Sequence, residues 1–169
     1  MKWCKLLSGQ LQNTLKQTEV VLANMPGNAD ALTLKGAVLV KQNNLDAAMV
    51  IAEQVLKDHP DHNDGISLKT AIYIAKNDFA NALATVEKGL QLKPNDVDLL
   101  EVKLQVHSQS KNSAALEQDY LNLIQLFPEN LKYSYELAKH YAENNQDPKA
   151  LSTLQAIIDA HPDKLQPKL

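Results

Sequence analysis

Pro26-Gly27-Asn28-Ala29-Asp30 is answered by Asp58-His59-Pro60, and the proline then returns as Pro94, Pro128 and Pro162. From Pro26 onward the intervals between these prolines are all equal, with no insertion or deletion. A spacing held this strictly is an internal repeat, and it is settled before any single residue is read. Between the prolines, apolar residues recur three and four apart. Leu45, Ala48, Ile51, Ala52, Val55 and Leu56 form one such stripe, ending just before Pro60. That is the period of a helix with one buried face. Short polar runs such as Lys41-Gln42-Asn43-Asn44 and Lys76-Asn77-Asp78 split each unit into two helices. Turns this short force each pair antiparallel.

Counting begins three residues after each proline, so the units start at Ala29, Asn63, Val97 and Leu131. Position 8 then holds Gly36, Thr70, Leu104 and Ala138, and position 20 holds Ala48, Ala82, Leu116 and Ala150. Position 28 is Leu56, Leu90, Ile124 and Ile158, and proline occupies position 32. In the length of its period and in these positions the chain resembles the tetratricopeptide-repeat family. It departs from the family where Leu32, Ile66, Leu100 and Ser134 replace a favoured tryptophan.

The resemblance implies an all-α fold, a right-handed α-α superhelix of helix hairpins forming one array. Residues 1–28 are expected to hold a half repeat with only a second helix, from Leu11 to Asn24. Repeats at 29–62, 63–96, 97–130 and 131–164 follow, and 165–169 form a tail. Small residues at positions 8 and 20 are expected where the two helices of a hairpin cross. The third unit carries Leu104 and Leu116 there, so its helices should splay apart. The half repeat and the short tail would leave both ends of the array uncovered, as in an excerpt of a longer array or in one whose ends pair with another copy.

Bulk properties narrow the function classes. A net charge of −3 and a pI near 5.9 argue against nucleic acid, which selects for a basic stripe. A single cysteine, Cys4, excludes an internal disulfide framework. Residues 1–10 lack a signal peptide's apolar core, and no apolar run reaches the ~18–20 residues of a membrane span. A soluble chain, cytoplasmic or periplasmic, is expected.

Chemistry finds little purchase. The chain has no glycine-rich phosphate loop, no His-Glu-x-x-His and no strand to carry a nucleophile elbow. His59-Pro60-Asp61 and His161-Pro162-Asp163 match the tripeptide of J-domain cochaperones. They sit, however, where a repeat helix ends, and a histidine there favours the negative end of the helix dipole. His59 and His62 find no third ligand at helical spacing, so no metal and no cofactor is expected. His107 stands at a packing position and reads as a structural histidine. Asp61 and Asp64 read as helix-start caps, and Asp147-Pro148 as an N-cap followed by a first-turn proline. No enzyme is expected.

The family resemblance also implies a groove. The first helices of successive hairpins line a concave face, with positions 2, 5, 9, 12 and 13 pointing into it. The first unit then offers Asp30, Thr33, Ala37, Val40 and Lys41, and the second Asp64, Ser67, Ala71, Ile74 and Ala75. The third offers Asp98, Glu101, Gln105, Ser108 and Gln109. In the fourth these positions are Lys132, Tyr135, Lys139, Ala142 and Glu143. Three aspartates at position 2 make an acidic ridge beside an apolar floor. The C-terminal end turns aromatic and basic. The family's carboxylate clamp for acidic chaperone tails is absent, because Thr33, Ala37, Leu68, Asp98 and Val102 occupy its positions. The expected function is a scaffold binding a peptide or protein segment with apolar anchors and basic residues. Two alternatives are a non-catalytic repeat region of a larger bacterial envelope-assembly protein or enzyme, and an array that self-associates through its ends.

Overall fold

The computed structural model describes the backbone of residues 2–160 and the side chains of residues 12–160. Trp3, Cys4 and everything from His161 onward, Pro162 included, fall outside the described side chains. Among the described residues there are nine helices and no strand. They are α1 (Lys2–Asn24), α2 (Ala29–Lys41), α3 (Leu45–Asp58), α4 (Asn63–Ala75), α5 (Phe79–Leu92), α6 (Val97–Gln109), α7 (Ser113–Leu126), α8 (Leu131–Glu143) and α9 (Asp147–Ala160). The even-numbered helices from α2 start one repeat period apart, as do the odd-numbered ones from α3.

Local chemistry sets these boundaries. Asn28 Oδ1 accepts the Ala31 N–H at 2.8 Å, Asn112 Oδ1 the Ala115 N–H, and Asp96 Oδ1 the Asp98 and Leu99 N–H groups. Each satisfies an orphan donor of a first turn. Each pair of helices is closed by a residue in the left-handed region: Asn43, Asn77, Lys111 and Asn145, with φ from 56° to 61°. Aspartates at the second residue of α2, α4 and α6 lie against the positive end of the helix dipole.

Three sequence expectations are corrected. Helix α1 does not start at Leu11 but runs unbroken from Lys2, because no proline interrupts residues 2–24. The cap of α4 is not an aspartate: His62 Nδ1 accepts the Gly65 N–H at 3.2 Å, while Asp61 lies beside Lys93 at 3.5 Å. Helix α9 includes Asp147, so Pro148 is its second residue, still inside the first turn where no N–H is missed.

The chain divides into two compact units, Met1–Ser110 and Lys111–Leu169. The division falls in the turn of the third hairpin, the one with Leu104 and Leu116 at its expected crossing positions. In the first unit consecutive helices pack in series, and α4 also packs on both α2 and α6. Ala48, Ala52, Leu68 and Ile72 bury one cluster, and Ile66, Val86 and Leu99 the next. In the second unit α7 and α9 pack on α8, around Leu137, Tyr141 and Ala150.

Gly36 shows what the small residue at position 8 is for. A Cβ built there would run into the side chain of Leu68, in the first helix of the next hairpin. At this position the nearest neighbour is therefore α4 of the next hairpin.

Candidate functional site

The face made by α2, α4 and α6 holds a groove of about 570 Å³. Its mouth carries Asp30 and Asp64, and Thr33, Ser67 and Gln105 supply the remaining polar lining. The floor is Ala37, Val40 and Ala71 together with Leu34, Leu68 and Val102. Leu34 is 48% exposed, a large apolar side chain left open to water. A smaller hollow of about 250 Å³ shares Asp30 and Leu34 with the groove and adds Gln17, Thr18 and Val21 of α1.

The acidic mouth is held in place. With His62 Nδ1 accepting from Gly65, the imidazole proton lies on Nε2 and is donated to Asp30 at 3.1 Å. His62 thus caps α4 and fixes the carboxylate of the preceding hairpin in one stroke. The carboxylates of Asp64 and Asp98 are exposed and have no partner among the described residues. The Thr33 hydroxyl is spent inside its own helix, on the Asp30 carbonyl at 3.0 Å. At the rim of the same unit, Asp96 is pushed up by burial, yet the Asn63 amide and the Leu99 and Asp98 N–H groups outweigh this and hold it below the usual carboxylate range.

Of the positions inferred from the sequence, Asp30, Thr33, Ala37, Val40, Asp64, Ser67, Ala71 and Gln105 come together in this groove. Lys41, Ile74 and Ala75 do not line it, since they stand at the C-terminal ends of α2 and α4, beyond its floor. Asp98 and Glu101 also fall outside its lining. Lys132, Tyr135 and Lys139 belong to the second unit. There Tyr135 is 44% exposed, Lys139 reaches Glu136 and Glu143 at 3.9 and 4.0 Å, and Lys132 lies over the Tyr133 ring.

What the sequence reading missed is position 6. Leu34, Leu68 and Val102 all occupy it, in three successive repeats, and together they make half of the floor residues. Three large aliphatic residues at one position of a solvent-facing helix were the available signal. Among the described residues no cluster of His, Cys, Asp or Glu is arranged to hold a metal, and no helix is long and apolar enough to cross a membrane.

The profile of the tetratricopeptide-repeat family matches residues 5–72. Over that segment the chain is similar to the tetratricopeptide-repeat family. Solved structures extend the likeness over both units. A tetratricopeptide protein of Thermus thermophilus superposes with a TM-score of 0.71 at 17% identity, covering 96% of this chain and 89% of that one. A second, from Parabacteroides merdae, gives 0.68 at 16% identity, covering 92% of this chain and 60% of that one. The chain therefore spans less than two thirds of the Parabacteroides protein. YrrB, described as a tetratricopeptide protein with an unusual peptide-binding site, gives 0.57 at 19% identity, covering 96% of this chain and 85% of that one. No curated protein sequence matches this one. At these identities the likeness establishes the all-α tetratricopeptide fold, and the ligand is left to the site itself.

Proposed function

We propose that this protein is a binding scaffold whose first unit takes a segment of a partner protein in the groove of α2, α4 and α6. One observation carries the reading: an apolar floor built from three successive first helices lies open beneath an acidic mouth. Aliphatic side chains left in water favour any event that covers them, at about 25 cal/mol per Å². The fixed carboxylate of Asp30 and the open one of Asp64 select what does so. The segment that fits carries aliphatic anchors next to lysine or arginine. A groove of about 570 Å³ accommodates a few side chains, and affinity would come from several such contacts in line. The description of YrrB as peptide-binding supports this class of ligand for the fold.

The test is capture from lysate followed by mass spectrometry, with wild type beside an Ala37→Gln/Ala71→Gln variant. Ala37 is exposed and Ala71 half-buried, and glutamine is a good helix former, so the fold is kept while the floor is blocked. A partner held by wild type and lost by the variant is expected. The same partners captured by both proteins would refute the groove.

A further inference from the structure

We propose that the first unit carries a second recognition site, a groove on the opposite side of α4 that takes an acidic peptide segment. Helix α4 turns two faces outward. Asp64, Ser67 and Ala71 line the concave groove, while Ile66, Lys69 and Tyr73, on the far side of the same helix, line another hollow of about 470 Å³ between α3 and α5. This second hollow has an apolar floor that includes Leu56, Ile66 and Ala84. Its charged groups are Lys57, Lys69, Lys88 and a single carboxylate, Glu53. Glu53 is taken by Lys69, at 3.7 Å. Lys57 and Lys88 have no partner among the described residues, and neither does the Tyr73 hydroxyl. The charges left over are both cations, with a phenolic donor beside them.

The fold does not require this charge. The second unit contains the corresponding hollow, about 420 Å³, between α7 and α9. Where the first unit has Glu53 and Lys69, the second has Leu121 and Leu137, and Ala156 stands in the place of Lys88. Tyr141, the counterpart of Tyr73, gives its hydroxyl to Glu117 at 2.8 Å. The repeat thus accepts apolar residues and a satisfied tyrosine at these positions. Two free ammonium groups and a free phenol over an apolar floor are a feature of the first unit, in a chain whose net charge is −3. Lysines recognise carboxylates as point charges, with few demands on angle, which suits an extended acidic chain. The apolar floor seats an aliphatic side chain between the carboxylates, which a bare phosphate would leave empty.

The probe is a fluorescein-labelled synthetic peptide alternating glutamate and leucine, with a glutamine-for-glutamate analogue as control, read by fluorescence anisotropy. The glutamate peptide is expected to bind wild type, with an affinity that falls as salt is raised. Lys57→Glu/Lys88→Glu should weaken it about tenfold or more, and Lys57→Gln/Lys88→Gln by less, since rim charges act through the summed field. Both lysines are exposed, so circular dichroism should be unchanged in either variant. Ala37→Gln/Ala71→Gln should leave this binding intact, which keeps it separate from the concave groove. The proposal is overturned if the charge-reversed variant binds as wild type does, if the glutamine analogue binds equally well, or if phosphatidylserine vesicles bind through these lysines and the peptide does not.

Discussion

Four of the described residues sit in the left-handed region, and three of them are asparagine. Asn43, Asn77 and Asn145 suit it, because a short polar side chain can bond locally to the backbone. Lys111, at φ 56°, has no such compensation and bears about 1 kcal/mol of strain. Lys111→Asn should therefore raise stability by roughly 0.5–1 kcal/mol in urea titrations. An unchanged or lowered midpoint would show that the lysine finds compensation elsewhere. A second residue-scale prediction concerns Tyr141. Burial, then its hydrogen bond to Glu117, pushes its phenol from 10 up to about 12. A group whose pKa rises on folding stabilises fully below its unfolded value, and the benefit drains away between pH 10 and about 12. Glu117 runs the other way. The Tyr141 hydroxyl, then Lys149, holds it below 4.5, so its contribution is present above that value and lost as pH falls further. Tyr141→Phe should flatten the alkaline limb of the stability curve and raise the Glu117 pKa. An alkaline limb identical to wild type would exclude the proposed linkage.

Among the elements, α2, α4 and α6 carry the argument, and they show how much of the molecule was legible in the sequence. Helix starts were legible because proline and capping residues act locally and recur once in every repeat. The positions that line the hollow recur near the middle of each first helix because the register repeats, so one face repeats. Lys41, Ile74 and Ala75 lie outside this hollow because it has a finite length along the helix axis. Periodicity fixes the face and says nothing of where the hollow ends. Leu34, Leu68 and Val102 were missed because an aliphatic residue in a repeat is read first as core. The cap of α4 was also beyond reach, since histidine serves there only through a tautomer fixed by Asp30 in the preceding hairpin. Gly36 allows a test at this scale. Gly36→Leu should cost about 1–3 kcal/mol by overpacking against Leu68. It should also displace Leu68 into the groove and weaken partner capture. Full stability in this variant would mean that α2 and α4 separate at little cost, contrary to the close approach described here.

At the scale of the whole molecule, the chain is two compact units carrying one repeat period, with opposite chemistry on the two sides of the first. A solenoid spends its buried positions on neighbouring repeats, so partner choice falls to the positions the period leaves free. In the first unit those positions converge on an aliphatic floor under carboxylates. In the second unit the corresponding residues are Lys132, Tyr135 and Lys139. The most direct test of the central claim is site-specific photo-crosslinking in lysate. One benzophenone side chain is placed at Ala37, on the groove floor, and in a parallel sample at Val50, which is 66% exposed on α3. The account predicts a discrete adduct from Ala37 that maps to a segment rich in aliphatic and basic residues, with none from Val50. Equal adducts from both positions, or an adduct from Val50 alone, would contradict it.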